Sequence, residues 1–484
     1  MLKGTTKIEL TDVNTGETQV IEKHNTVTGA LQEMFDTTLF HLTDPSKLVA
    51  TLPAYTSILG GLLLFDNRIE GDPLPLFAPE DVKLVGCARY NAANLSGSTY
   101  LGSYDATESV LSPSTRMAKL VYNFTQTQAN GTINSICLTH RNGGFGVYGG
   151  DYAIKDPSNS KLGVSLYDTP IVKLVRDSND RYTGILGFSE EEHLYALDVD
   201  NDIGYYFRLT SATKLVMVKR RLRISRYSMF GNGATLIGDP VEISLTTGIN
   251  VSNSSYSAYN FDPETNALYI VSQPSTSTTL VAGGAFTVTK VELNDTKATQ
   301  IALTNKYTAP INMQNSYVYR GKVYSLTSRG PGTTNGVAAT GFTVVSIPLD
   351  GGPANTHGMV VYDATTVPRS VYAADGRLYW QAHYSTAKGN GGLQVTNCVA
   401  TPGDDNTTLC GADTIDYSLS SNIYYPVVGT PVLNHPLLLF ISSGTDLERF
   451  VVLGHYLATI NNLATPIVKA PTQTMKITYT IQEV

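Results

Sequence analysis

The closing stretch "TMKITYTIQEV" alternates strictly, with Met475, Ile477, Tyr479 and Ile481 apolar and Lys476, Thr478, Thr480 and Gln482 polar. A period of two predicts a strand with one buried and one wet face. The start of the chain has the same rhythm. "TTKIELTDV" and "ETQVIEK" flank the turn "NTG" and predict a hairpin, with Ile8 and Leu10 on its inner face. Then "NTVTGALQEMFD" sets Val27, Leu31, Met34 and Phe35 on one side of a helical period, a short amphipathic helix. "MAKLVYNFTQTQANGTINSICLTHRNGG" reads as another strand pair, closed by Asn130-Gly131.

The middle of the chain repeats a different unit. "GFSEEEHLYALDVD" reaches Leu194-Tyr195, "YNFDPETNALYIVSQ" reaches Leu268-Tyr269, and "SYVYRGKVYSLTSR" reaches Val323-Tyr324. "SVYAADGRLYWQAHY" reaches Leu378-Tyr379, and "GTPVLNHPLLLFISS" places Leu437-Leu438 at the same point. Each is a short strand, a polar turn and an apolar-aromatic strand, which marks a β-hairpin. Further strand pairs lie between them, such as "FTVTKVEL" with "ATQIAL" and "GFTVVSIPL" with "GMVVYDA". Four strands in roughly 40 to 55 residues is the period of a propeller blade, which buries its sheet faces only against neighbours in a ring. Tyr195, Tyr269, Tyr324 and Tyr379 are expected at equivalent blade positions. Trp380, the only tryptophan, follows Tyr379 as Ala196, Ile270, Ser325 and Leu439 follow in the other repeats. It is therefore read as a blade-packing residue, the alternative being a surface that stacks on a ligand.

These patterns predict a mainly all-β protein. A β-propeller of five blades, with six as the alternative, is inserted into a β-rich platform domain with a short helix, formed by both chain termini. The expected divisions are 1–160 for the N-terminal platform, 161–444 for the propeller and 445–484 for the strand segment that completes the platform. Termini gathered into one domain make such an insertion topologically simple.

Composition narrows the function. Only 15% of the 484 residues are charged, and the net charge of −7 gives no reason to expect nucleic acid or an anionic membrane as partner. The apolar stretches "ILGGLLLF" and "PLLLFI" are too short to span a bilayer, and "MLKGTTKIEL" lacks the features of a signal peptide. The expectation is a chain made in a cytoplasm. Cys398 and Cys410 enclose the polar loop "VATPGDDNTTL" and are read either as a disulfide or as reduced thiols.

The ends of the chain carry a resemblance. "KGTTKIELTDVNTGETQVIEKHNTVTGALQEMF", "LGSYDATES", "LVYNFTQTQANGTINSICLTHRNGG" and "HYLATINNLATPIVKAPTQTMKITYTI" together resemble virion structural proteins of tailed bacteriophages. The likeness is to tail-fibre, baseplate- or neck-associated proteins of phages of Gram-positive gut bacteria, and it covers roughly residues 1–150 and 450–484. It implies a platform bound to other virion proteins, a variable outward domain and no catalytic motif. Homo-oligomerisation, localisation to the virion after assembly in a bacterial cytoplasm, and contact with a host-surface glycan or protein are the expectations that accompany it. A purely structural neck, collar, baseplate or capsid decoration is the alternative, and a glycan depolymerase the third reading.

Candidate chemistry is sparse. "DVDND" spaces Asp198, Asp200 and Asp202 like the carboxylates of a calcium loop, yet Ile203 and Leu209 stand where an EF-hand loop has Gly and Glu. A surface turn between blade strands is preferred, with calcium as the minor alternative and no other cofactor expected. The run holding Lys219, Arg220, Arg221, Arg223 and Arg226 reads as solvated strand faces near Glu190, Glu191 and Glu192. "NGGFGVYGGD" lacks the spacing of a phosphate cradle, and the histidines form no H-x-x-x-H pair. With the repeated boxes of sialidase-like propellers also missing, the sequence-based expectation is that the chain is not an enzyme.

Overall fold

The computed structural model describes residues 2–31, 58–71, 74–79, 82–93, 98–112, 114–115, 117–141, 163–164, 173–174, 193–201, 203–221, 224–225, 236–249, 257–275, 277–327, 330–334, 337–361, 369–374, 377–383, 395–400, 412–414, 428–442, 448–453 and 456–483. The chain divides into two compact units: Met1–Leu166, Gly411–Asp416 and Leu453–Val484 form one, Tyr167–Cys410 and Tyr417–Val452 the other.

In the first unit a ten-stranded sheet curls into a nearly closed barrel. Its order begins with Leu84–Ala88, Gly61–Phe65, Gly131–Thr139 and Thr459–Lys469. It continues through Thr18–Val27, Leu2–Asp12, Gln473–Glu483 and Met117–Phe124 to Ser103–Tyr104, and Val110–Ser112 also pairs with Met117–Phe124. The two ends of this order meet through a parallel bridge between Cys87 and Leu101, with Cys87 N donating to Tyr100 O and Gly102 N to Cys87 O.

Alternation sets the inner face. Met475, Ile477, Tyr479 and Ile481 are buried while Lys476, Thr478 and Thr480 are half-buried. Ile477 lies opposite Ile8 on one side and Tyr122 on the other. The C-terminal strand thus fills the place between the first strand of the chain and Met117–Phe124. Asp12 shapes the N-terminal turn: its Oδ1 accepts from Asn14 N and Thr15 N, which lowers its pKa, and Gly16 turns the chain at φ +73°. The helix expected from Val27 onward begins later. Val27 belongs to the strand Thr18–Val27 and pairs with Thr459. Helical residues start after Thr28, whose Oγ1 accepts from Leu31 N, while Met34 and Phe35 lie outside the described residues.

The second unit is the propeller. Its first sheet runs His193–Asp198, Ile203–Ser211, Lys214–Arg221 and Val241–Ser244. The second runs Ser257–Asp262, Ala267–Ser272, Ala285–Glu292 and Ala298–Thr304. Ile311–Tyr319, Lys322–Thr327, Val337–Pro348 and Asn355–Val361 form the third, extended by two short strands. Arg369–Ala374, Arg377–His383 and Val395–Ala400 begin the fourth, and Val428–Pro431, Leu438–Ser442 and Glu448–Leu453 the fifth.

The first strands form the inner ring. Each touches the next: His193–Asp198 meets Ser257–Asp262, then come Ile311–Tyr319, Arg369–Ala374 and Val428–Pro431, which returns to His193–Asp198. Closure is by backbone as well, since Leu433 N donates to Leu197 O at 2.7 Å and Val432 bridges Leu197. Five blades complete the circle. Between the first two blades, Phe207, Leu209, Leu215 and Met217 pack with Phe261, Leu268, Ile270 and Val291. A continuously buried strand such as Ala267–Ser272 suits this setting, because both of its faces meet neighbouring blades.

Candidate functional site

The turns that join first to second strands in the propeller carry ionisable side chains that face one another, among the described residues Asp198, Asp200, Asp262, Glu264, Arg320 and His435. Asp198 ends the first strand of the first blade and caps the following turn, accepting from Asn201 N at 3.0 Å and Asn201 Nδ2 at 2.8 Å. Asp262 occupies the matching place in the second blade and accepts from Glu264 N and Thr265 Oγ1. An aspartate here satisfies the turn's N–H donors without a further residue. Asp262 is buried, and desolvation raises its pKa above the usual carboxylate value.

Neighbouring blades are joined at these turns. Glu264 of the second blade receives Arg320 Nε and Nη2, both at 3.1 Å, and Tyr319 OH at 2.7 Å, from the third. His435 of the fifth blade lies 3.0 Å from Asp200 of the first. Deeper in, Asn260 acts as a strand surrogate: its Nδ2 donates to Val318 O at 2.9 Å and its Oδ1 accepts from Val318 N at 2.8 Å. Tyr195 and Tyr259 meet edge to face across the first two blades, with centroids 4.6 Å apart.

The candidates named from the sequence fall as follows. Tyr269, Tyr324 and Tyr379 lie on the second strands of their blades, whereas Tyr195 lies on the first strand of its own. The counterpart of Tyr269 in the first blade is Tyr205: Asp198 pairs with Ile203 as Asp262 pairs with Ala267, two residues before each tyrosine. Tyr195 corresponds instead to Tyr259. Trp380 lies on a second strand opposite Ser370 and Cys398, and its side chain is outside the described residues.

Asp198 and Asp200 are engaged in the turn and with His435, and Asp202 lies outside the described residues. Among the described residues no group of three or more His, Cys, Asp or Glu side chains is placed to hold a metal ion. Lys219 sits over the Tyr205 ring at 5.5 Å and Arg220 over Tyr206 at 5.9 Å, so this basic run is spent partly on aromatic faces. Arg223, Arg226, Glu190, Glu191, Glu192 and Cys410 lie outside the described residues, and the question of a Cys398–Cys410 bridge goes with them.

Sequence reasoning missed the contacts between blades, Asn260–Val318, Glu264–Arg320 and Asp200–His435. One signal was available. Tyr195, Asp198 and Tyr205 recur as Tyr259, Asp262 and Tyr269 at a single common offset, which fixes the register of the first two blades.

No protein-family profile matches the sequence, and no curated relative does. Solved structures are similar in fold. One is an exo-β-1,3-galactanase from Phanerochaete chrysosporium, 10% identical, covering 63% of this chain and 70% of that one, with a TM-score of 0.29. A GH43 protein, BlXynB, from Bacillus licheniformis is 12% identical and covers 63% of this chain and 58% of that one, with a TM-score of 0.28. A putative TolB from Agrobacterium tumefaciens is 10% identical and covers 84% of this chain and all (100%) of that one, with a TM-score of 0.22. At these identities the likeness is one of fold. It nevertheless corrects the exclusion of an enzyme: glycoside hydrolases stand among the proteins similar to this chain, and lacking a linear motif does not separate it from them. Propeller enzymes assemble their carboxylates from distant blades, so a motif search along the chain is no test.

Proposed function

We propose that this chain is a structural protein of a tailed-bacteriophage particle, an appendage whose terminal barrel attaches to other virion proteins and whose propeller contacts a host-surface glycan or protein. The observation that carries this reading is the place of the last strand, paired with Leu2–Asp12 on one side and Met117–Phe124 on the other. Leu2–Asp12 and Gln473–Glu483 are thereby neighbours in one sheet, and the propeller is an excursion of the chain between them. The inserted unit is poor in charge and rich in Tyr, Thr, Ser and Asn, which offer aromatic faces and adaptable hydrogen bonds to saccharide or protein surfaces.

The test uses the full chain and intact particles. Antibody labelling should place the chain on an external appendage, and excess free chain should compete with infection of susceptible cells. Labelling without competition would leave structural decoration as the role, and absence from particles would overturn the proposal. Release of reducing ends from host-wall glycan, followed in the same incubations, shows whether contact is accompanied by hydrolysis.

A further inference from the structure

The turn between Met117–Phe124 and Gly131–Thr139 in the barrel carries the dipeptide Asn130-Gly131. Asn130 is exposed, whereas Lys469, opposite Gly131 in the ladder, is 1% exposed. Lys469 Nζ donates to Asn130 Oδ1 at 2.7 Å and approaches Gln126 O at 3.5 Å, so both of its acceptors are neutral. The other end of the carboxamide is held too, with Asn130 Nδ2 donating to Gln126 O at 2.8 Å.

We propose that Asn130 is a site of spontaneous deamidation assisted by Lys469. The Gly131 amide nitrogen attacks Asn130 Cγ, forming an N–Cγ bond. The Cγ–Nδ2 bond then breaks, and the Gly131 proton leaves with the nitrogen as ammonia. Water opens the resulting succinimide to aspartate or isoaspartate, so the sum is carboxamide plus water giving carboxylic acid plus ammonia.

Three features favour this step at this place. Gly131 has no Cβ to shield its nitrogen, and its φ of +136° is a conformation that suits glycine. Negative charge develops on Oδ1 in the tetrahedral intermediate, where the Lys469 ammonium already donates. The product exchanges a neutral acceptor for a carboxylate beside a buried cation, a stronger hydrogen bond. Burial holds the Lys469 pKa down to about 8, so the ammonium is present at neutral pH and is lost above that value. Attack by the amide nitrogen accelerates with hydroxide, whereas assistance by Lys469 declines. The rate at Asn130 therefore flattens above about pH 8 only while Lys469 is in place.

The experiment holds the folded full-length chain in heavy-oxygen water across this pH range and maps its peptides by mass spectrometry. The Asn130 peptide should gain a carboxylate carrying one heavy oxygen. Lys469→Gln should slow the conversion about tenfold, the value of one hydrogen bond to a charged group, and should remove the flattening. Should this variant fail to fold, the wild-type chain in urea serves instead, and its profile should rise without flattening. An Asn130 that keeps its amide in the folded chain while the unfolded chain converts it would overturn the proposal. So would equal rates and profiles in folded wild-type and Lys469→Gln chains.

Discussion

Asp262 shows how one side chain serves a turn at a cost. Its carboxylate caps the turn after the first strand of the second blade, but burial opposes its charge and raises its pKa. Raised in the folded state above its unfolded value, it contributes stability that is fully present below the unfolded pKa. That contribution is lost as pH rises through the folded value. Asp262→Asn keeps one oxygen to accept from Glu264 N and turns its amide N–H to Thr265 Oγ1, whose hydroxyl then accepts, so the turn stays bonded without the charge. The variant should be more stable than the parent at neutral pH, with the difference vanishing on acidification to the ordinary carboxylate range. Denaturant midpoints at the two pH values check this. A loss of stability at neutral pH would mean that the Arg320 charge, which lowers the Asp262 pKa, outweighs desolvation.

Single elements are held by side chains that imitate a neighbouring strand. Asn260 pairs with both polar groups of Val318 and joins the first strands of two blades, and Asn462 does the same for Ile69 in the barrel, donating to its O and accepting from its N. Removing the Asn260 amide takes these partners from a buried backbone N–H and C=O, at about 1–3 kcal/mol for each group, whereas Ile69 N keeps Ser135 Oγ and only the Ile69 carbonyl loses its bond to Asn462. Asn260→Ala is expected to destabilise the propeller by roughly 2–4 kcal/mol, and Asn462→Ala to act on the barrel in the same sense. Urea titrations followed by tyrosine fluorescence would measure both, and a loss below ~0.5 kcal/mol for Asn260→Ala would show that Val318 finds other partners. These contacts were not legible in the sequence. They join residues far apart in the chain, and asparagine is as common in exposed turns as in such places. The strands themselves were legible, because the alternation of 475–481 and the apolar run at 267–272 report burial on one face or on both. The assignment of Tyr195 shows the limit of that reading. "HLYALD" and "ALYIVS" have the same texture, and only pairing across the hairpin separates a first strand from a second.

At the scale of the molecule, the barrel depends on a strand that the chain supplies last. Leu2–Asp12 has a neighbour on each side, Thr18–Val27 and Gln473–Glu483, and the latter alone connects it to Met117–Phe124. Deleting residues 474–484 exposes Ile8 and Leu10 and frees the ladder edges of two long strands, an invitation to intermolecular pairing. The truncated chain is expected to be recovered largely as aggregate. A point variant separates loss of the strand from loss of one contact. Tyr479 is fully buried and its hydroxyl meets Thr459 Oγ1 at 2.5 Å, so Tyr479→Phe removes that hydrogen bond and keeps the ring. It should remain soluble and monodisperse, less stable by about 1 kcal/mol. Size-exclusion profiles of the three chains decide the matter. A truncated chain that elutes with the parent would show that the barrel holds without the strand Gln473–Glu483.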